Sequence, residues 1–267
     1  MGIKIVFSDI DATFLTNHHE VTERTEYMVK SLLGKGIPFV LVSARMPEAI
    51  YPITKEIGVN IPIISYGGAM ALTEKEEVLF RRTLPKDSCT RVLRLLEERW
   101  QDAVVNYYAG RHWYVREITP PVQREMDITS ARAEVRAFEE MLQENVLPNK
   151  LLVMAERELC EEIEQELRKA FPELSIVRSY FTLLEVMDRS VSKAAGIEVM
   201  LRHFGLKAEE AIAFGDNYND MEMLQYVGCG VAMGNALPEV KELADEITLT
   251  NEEDGIYVCL KEKGIIA

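Results

Sequence analysis

The chain has 267 residues, 48% of them hydrophobic and 28% charged, which is typical of a globular protein with one large domain or two smaller ones. Its 44 acidic residues outnumber the 30 basic ones, and the formal net charge of −14 argues against binding to nucleic acid or to an anionic membrane. Four widely spaced cysteines, with no signal peptide and no long apolar run, predict reduced thiols and a cytoplasmic protein.

The first part of the chain alternates between short apolar strands and helices. Strands are predicted over 3–7, 37–42 and 61–65, and helices over 22–34 and 47–57. Short connections between such elements predict a doubly wound parallel sheet, that is, a Rossmann-like α/β core.

The middle of the chain has a different pattern, a mixture of helices and alternating strands. It predicts a hairpin over 103–109 and 112–115, helices over 134–144 and 156–171, and strands over 150–155 and 183–187. An apolar strand over 208–216 then ends in an acidic residue, like the first strand. We therefore expect a core formed by 1–83 and 184–267, with an inserted α+β domain over 84–183.

Two acidic residues, Asp9 and Asp11, follow the first predicted strand. Ligands of open parallel sheets bind beyond the carboxyl ends of the strands, so both carboxylates would face a ligand. One carboxylate could attack phosphorus, and the other could protonate the departing oxygen and later activate water. By itself, Asp-x-Asp also fits a strand-terminating turn or the metal site of a glycosyltransferase.

Three later segments add complementary groups. Ser43 ends the second strand, where its hydroxyl could donate to a phosphate oxygen or cap the next helix. Lys193 could neutralise phosphate charge or be an ordinary solvated lysine. Asp216 offers a hard oxygen ligand for Mg²⁺, and Asp220 could hold a ligand water or Lys193; an N-capped helix explains the same acids.

Taken together, these groups match the needs of phosphoryl transfer. That reaction requires an in-line nucleophile, an acid/base and positive charge around the equatorial phosphate oxygens. The set Asp9, Asp11, Ser43, Lys193 and Mg²⁺ at Asp216 supplies each of these roles. The sequence therefore predicts a magnesium-dependent phosphatase that acts on a small molecule.

This ordered set resembles the haloacid dehalogenase superfamily, and within it the Cof-type hydrolases, over nearly the whole chain. The resemblance lies in Asp-x-Asp-x-Thr at Asp9, Ser-x-Arg at Ser43, Tyr66-Gly67-Gly68-Ala69, Ser192-Lys193, Gly215-Asp216-Asn217-Tyr218-Asn219-Asp220 and Val231-Ala232-Met233-Gly234-Asn235-Ala236.

The resemblance implies specific roles for these residues. Asp9 would be the nucleophile, which forms a phospho-aspartate, and Asp11 the acid/base. The Asp9 carboxylate, the Asp11 backbone carbonyl and Asp216 would hold Mg²⁺, with Asp220 in support. The insertion would be the cap that selects the substrate. The residues expected around the phosphate are Ile10, Ser43, Ala44, Arg45, Gly67, Gly68, Lys193 and Asn219.

Three positions depart from the family pattern, because Ala12 and Ala44 stand where glycine is usual and Gly67 where asparagine is common. A methyl group at Ala12 is expected to require a backbone without positive φ. In the insertion, the aromatic residues of the predicted hairpin could line a pocket or pack across the strands, and packing is the favoured interpretation. They are Tyr107, Tyr108, His112, Trp113 and Tyr114.

The main functional prediction is hydrolysis of a sugar phosphate or a similar phosphorylated metabolite by a monomer or homodimer. One alternative is a phosphomutase of the same superfamily. Another is a non-catalytic phosphate-sensing module, which the early position of Asp9 and the large insertion disfavour.

Overall fold

The computed structural model describes residues 2–129 and 131–267; Met1 and Ser130, which fall in the predicted segments 1–83 and 84–183, lie outside the described residues. The strands are β1 (Ile5–Asp9), β2 (Phe39–Val42), β3 (Ile63–Ser65), β4 (Met70–Leu72), β5 (Val78–Arg81), β6 (Val104–Ala109), β7 (His112–Val115), β8 (Ala133–Val135), β9 (Lys150–Met154), β10 (Leu174–Tyr180), β11 (Leu183–Asp188), β12 (Ala211–Gly215), β13 (Cys229–Ala232) and β14 (Glu246–Ile247). The α-helices are α1 (Glu23–Gly34), α2 (Pro47–Ile57), α3 (Lys86–Arg99), α4 (Pro120–Thr129), α5 (Phe138–Gln143), α6 (Arg157–Ala170), α7 (Lys193–Phe204), α8 (Met221–Tyr226), α9 (Pro238–Leu243) and α10 (Gly255–Glu262).

The described residues form two compact units, one up to Phe80 together with Ser192–Ala267, and one over Arg81–Val191. The first unit contains an eight-stranded sheet in the order β14-β13-β12-β1-β2-β3-β4-β5. Strands β14 to β3 in this order run parallel, and β4 is antiparallel to β3. The predicted α/β core with a parallel sheet is confirmed.

The central strands of this sheet are buried along their whole length. Every residue of β1 and β2 is buried, which is the pattern of parallel strands covered on both faces. On one face, Ile5 and Phe7 of β1 pack in a cluster with Ile197 and Met200 of α7. Because α7 packs against the central strands, its first residue lies close to their carboxyl ends.

The second unit is an α+β arrangement around a six-stranded sheet in the order β10-β11-β9-β6-β7-β8. Neighbouring strands are antiparallel except β7 and β8, which are parallel. Helices α3 and α6 contribute Val92, Cys160 and Ile163 to the hydrophobic cluster on this sheet. This unit has a core of its own.

Two expectations differ from the structure. The expected boundary after residue 183 falls inside the hairpin of β10 and β11; β11 pairs with both β9 and β10, so it is part of the second unit. The predicted helix over 134–144 is wrong in its first part, because Ala133–Val135 forms β8 and the helix begins only at Phe138. The conformation of Ala133–Val135 is decided by pairing with β7 at the sheet edge, and the local sequence pattern does not encode that pairing.

The aromatic residues of the β6–β7 hairpin pack against one another. Tyr108 and Trp113 are directly opposite and stack at 5.4 Å between ring centroids, and His112 stacks on Tyr114 at 5.7 Å. The indole N–H of Trp113 donates to Asn106 Oδ1 at 3.0 Å. The first pair lies across the two strands and the second along β7, so the rings pack against one another, as the packing interpretation expects. Among the described residues, no helix has the length and apolarity needed to cross a bilayer.

Gly68 provides a test of how closely α7 approaches the sheet. Its φ is +112°, and a Cβ there would lie 1.9 Å from the carbonyl oxygen of Ser192, just before α7. We expect Gly68→Ala to lower the free energy of unfolding in urea by about 3 kcal/mol, from overpacking and backbone strain together.

Gly58→Ala is the matched control, since Gly58 also has positive φ (+73°) but nothing lies within 4 Å of the added Cβ. It should lose only about 1 kcal/mol. Equal losses for the two variants would contradict the close approach.

Candidate active site

The carboxyl ends of three adjacent parallel strands bring three of the predicted site residues together. Asp9 is the last residue of β1, Ser43 follows β2 and Asp216 follows β12, and β1 lies between β2 and β12. The three side chains therefore share one edge of the sheet, although they are far apart in sequence.

Lys193 supplies positive charge at this edge of the sheet and is the first residue of α7. Ser192 caps the helix, because its Oγ accepts from Ala195 N at 3.3 Å. Lys193 Nζ donates to Asp9 Oδ1 and, at 2.5 Å, to Asp220 Oδ1. The Lys193 side chain is 1% exposed, and that of Asp220 is fully buried. Burial of an ammonium group costs several kcal/mol unless opposite charges surround it, which the two carboxylates do.

Asp220 also fixes the loop after β12. Its Oδ2 accepts from the backbone N–H groups of Asp216 and Asn217, both at 3.0 Å. Only glycine fits at the end of the strand, because a Cβ on Gly215 would lie 2.5 Å from the Asp220 Cβ. Both oxygens of Asp220 are thus engaged by protein groups, which makes it a support for Lys193 and for the loop.

Asp216 is held by Thr13, whose Oγ1 donates to Asp216 Oδ1 at 2.6 Å. Burial raises the pKa of Asp216 to about 6, with Thr13 opposing the shift and Asp220 adding to it. This contact was not predicted from the sequence. Its signal is the threonine that ends Asp-x-Asp-x-Thr, two residues after Asp11.

The charged groups of this cluster shift one another's pKa values. Burial alone would lower the pKa of Lys193, but Asp220 and Asp9 outweigh it and raise that pKa, so Lys193 is charged. Burial also raises the pKa of Asp9; Lys193 opposes this shift, while Asp220 and Asp216 add to it. The carboxylates are therefore crowded with negative charge that Lys193 balances only in part.

This imbalance suits a divalent cation. Carboxylate oxygens of Asp9, Asp216 and Asp220 lie within 4.8 Å of one another, and three carboxylates with one ammonium leave a net charge of −2. Oxygen-rich acidic groups are the ligands that Mg²⁺ prefers. Because Asp220 is already engaged, the donor set fits direct ligation by Asp9 and Asp216.

Asp11 lies outside that buried cluster, in the turn Ile10–Phe14, and its side chain is 46% exposed. Arg45 binds its carboxylate at both oxygens: Nε donates to Oδ2 at 3.0 Å, and Nη2 donates to Oδ1. The structure thus places Arg45, expected at the phosphate, against the expected acid/base.

The remaining predicted residues lie around this edge in different environments. Ser43 is buried; its Oγ accepts from Arg45 N at 3.1 Å, so its hydroxyl hydrogen can donate to a ligand. Gly67 N donates to the Ser43 carbonyl at 2.8 Å, and Gly67 and Gly68 have positive φ. Of the others, Ile10 is fully buried, Ala44 is partly buried and Asn219 is exposed.

The loop after Asp9 is fastened by residues that sequence reasoning did not single out. Ala12 has φ 57° and ψ 14°, so the expectation that its methyl group requires a backbone without positive φ is wrong. Asn235 Nδ2 donates to the Ala12 carbonyl at 2.8 Å, and Asn251 N donates to Asn235 Oδ1 at 3.1 Å. This chain of hydrogen bonds holds the strained residue in place. Asn235 lies in the signature Val231–Ala236, which could have pointed to it.

Comparison with known proteins gives consistent matches over nearly the whole chain. Residues 6–260 match the family model of haloacid dehalogenase-like hydrolases. A Haemophilus influenzae protein named provisionally as a phosphatase is 38% identical over 264 residues, which cover 98% of this chain and 99% of that protein. The HMP-PP phosphatase of Serratia proteamaculans is 30% identical over 247 residues, 90% of this chain and 86% of that protein.

Solved structures agree with these matches. A haloacid dehalogenase-like hydrolase from Bacteroides thetaiotaomicron has a TM-score of 0.87 at 27% identity, covering 97% of this chain and 99% of that one. A sugar phosphatase of haloacid dehalogenase subclass IIB has a TM-score of 0.83, also at 27% identity, covering 98% of this chain and 100% of that one.

The left-handed conformation of Ala12 predicts that glycine is better there. We expect Ala12→Gly to raise the free energy of unfolding by about 0.5–1 kcal/mol, because relief of strain exceeds the added entropy of the unfolded chain. The control is Ala244→Gly, at an ordinary extended residue (φ −75°), which should lower the free energy. Urea unfolding measures both, and a loss of stability in Ala12→Gly would contradict the strain.

Proposed function

We propose that this chain, which belongs to the haloacid dehalogenase-like hydrolase family and is a phosphatase, hydrolyses a small phosphorylated metabolite through a phospho-aspartate on Asp9, with Mg²⁺ as cofactor. The observation that carries the proposal is the buried contact of Lys193 with Asp9 and Asp220, next to Asp216. A nucleophilic carboxylate beside a fixed cation and a cation-binding acid is what phosphoryl transfer needs.

In the first step, a carboxylate oxygen of Asp9 forms a bond to phosphorus while the ester P–O bond breaks. The electron pair goes to the leaving oxygen, which takes a proton from the carboxylic acid of Asp11. In the second step, a water oxygen attacks phosphorus and gives its proton to the Asp11 carboxylate. The bond between phosphorus and Asp9 then breaks, which releases inorganic phosphate and restores the Asp9 carboxylate.

The other residues stabilise charge during these steps. The Lys193 ammonium lies against Asp9 and would offset negative charge on the transferred phosphoryl group, and the Ser43 hydroxyl would donate to one of its oxygens. Mg²⁺ would be held by the carboxylates of Asp9 and Asp216 and the main-chain carbonyl of Asp11. When bound, it supplies positive charge for the phosphoryl oxygens and for the crowded carboxylates.

The relatives support a small phosphorylated metabolite as the substrate. They include a phosphatase named for HMP-PP and a structure named as a sugar phosphatase, and we propose a sugar phosphate first. Their phosphatase names favour hydrolysis over the phosphomutase and phosphate-sensing alternatives, and release of free phosphate in place of an isomerised ester separates the three. The cytoplasmic location and the monomeric or homodimeric state stay predictions.

Replacement of Asp9 tests the nucleophile. We expect Asp9→Asn to lower kcat at least about 10⁴-fold with the fold intact, because the amide cannot attack phosphorus but still accepts from Lys193. Acid-quenched wild-type enzyme should carry hydroxylamine-labile phosphate on the peptide that contains Asp9, and the variant should carry none. The exposed Asp102→Asn is the control and should behave as wild type. Undiminished turnover in Asp9→Asn would refute the assignment.

Removal of the metal tests the cofactor. Dialysis against EDTA should abolish phosphate release, and Mg²⁺ should restore it. Binding should also be visible without turnover: at about 100 times its Kd, Mg²⁺ should stabilise the wild-type protein by about 2.7 kcal/mol in thermal unfolding. Asp216→Asn should lose most of this shift, and Asp102→Asn should keep it. Full activity after EDTA treatment would contradict the role of Mg²⁺.

A further inference from the structure

The Asp11–Arg45 contact is a two-point ion pair between residues of two neighbouring loops. Arg45 Nε donates to Asp11 Oδ2 at 3.0 Å, and Nη2 donates to Oδ1. The imidazole of His19 also lies near this carboxylate, but its Nδ1 is 3.6 Å from Asp11 Oδ1 and its side chain is 67% exposed. The orientation of the Asp11 carboxylate is therefore set by the guanidinium fork of Arg45.

The backbone of Arg45 is itself fixed, so the fork starts from a defined position. Its N–H donates to Ser43 Oγ at 3.1 Å, and its carbonyl accepts from Ser65 Oγ at 2.6 Å and from Tyr66 N at 3.0 Å. These hydrogen bonds attach Arg45 to the ends of β2 and β3. Asp11, in contrast, lies in a turn and its side chain is 46% exposed, so the fixed backbone of Arg45 can determine where that carboxyl group points.

From this geometry we infer that Arg45 is a positioning residue for Asp11 and acts on the reaction through that carboxyl group, not by binding the transferred phosphoryl group. The inference deepens the proposed function and rests on it, since Asp11 must be the acid/base. It assigns to Arg45 a different role from the phosphate contact that the sequence predicted.

The physical reason lies in the change of charge on Asp11 during the first step. As its proton moves to the leaving oxygen, the carboxylic acid becomes a carboxylate, and a guanidinium binds the carboxylate more strongly than the acid. The attraction to Arg45 therefore grows as the proton departs. An interaction that strengthens towards the transition state raises the rate of that step. The structure contains the pair that this step would produce.

Poor leaving groups depend most on this effect, because an alkoxide needs a proton as it departs and a nitrophenolate does not. The test compares kcat/KM, which reports the first irreversible step, for an alkyl ester (glucose 6-phosphate) and an aryl ester (p-nitrophenyl phosphate). The variants are Arg45→Met, Arg45→Lys, Asp11→Asn and the double variant Asp11→Asn/Arg45→Met. The control is Arg202→Met, at an exposed arginine paired with Glu198 on α7.

For Arg45→Met we expect kcat/KM to fall roughly 10–100-fold for the alkyl ester and less than about 3-fold for the aryl ester. Arg45→Lys keeps a positive charge but not the fork, and should recover part of the loss. With Asp11→Asn already present, Arg45→Met should reduce kcat/KM by less than about 2-fold, since the group on which it acts is gone. Arg202→Met should match the wild type.

A uniform rise in KM for both esters, retained in full in the Asp11→Asn background, would identify Arg45 as a phosphate ligand and overturn the inference. If Arg45→Met does not fold, the same selectivity must appear in Arg45→Lys, and its absence there also overturns the inference. The proposed function is tested separately. An inactive Asp9→Asn combined with an ester-independent Arg45 effect refutes the inference alone, whereas an active Asp9→Asn refutes both.

Discussion

The buried ammonium of Lys193 between two carboxylates is the interaction on which the site depends. Such a charge is tolerated in the interior only because Asp9 and Asp220 surround it, and loss of Lys193 would leave two buried carboxylates without their cation. The contact joins the end of β1, the start of α7 and the turn after β12, so it links three distant parts of the chain at one point. The same contact keeps a cation beside Asp9 before any substrate binds, and such preorganisation is a main source of electrostatic catalysis.

Close backbone packing makes this arrangement possible. Lys193 reaches the strand ends because α7 approaches the sheet where side chains are absent: a Cβ on Gly196 would lie 2.5 Å from Ile64 Cγ2 and 3.1 Å from the Gly68 Cα. The left-handed backbone at Ala12 also costs conformational free energy, and the hydrogen bond from Asn235 to the Ala12 carbonyl holds the residue in that conformation. Residues in unfavourable conformations persist where the surrounding structure fixes them, and here they adjoin the groups assigned to the chemistry.

The sequence could predict the strand ends and the acids after them, because an apolar run that stops at Asp9, Ser43 or Asp216 is a local signal. It could not predict β8, where pairing with β7 overrides a helical pattern, nor the extension of the second unit through β11. The pairing of Arg45 with Asp11 was missed for a related reason. The two residues are 34 positions apart, and several anions compete for a cation at this edge. Only the folded geometry decides which partner a charged side chain takes.

Asp9 and Asp11 are two residues apart, yet the fold gives them opposite surroundings. Asp9 is 8% exposed and accepts a hydrogen bond from the buried Lys193, so its carboxylate is fixed at the strand end, as the proposed nucleophile requires. The Asp11 side chain is 46% exposed, and Arg45 orients its carboxyl group by donating to both oxygens. Two carboxylates with different environments can divide nucleophilic and acid/base roles between them. A buried strand end followed by a strained turn is what gives the two proposed roles different environments over so short a stretch of chain.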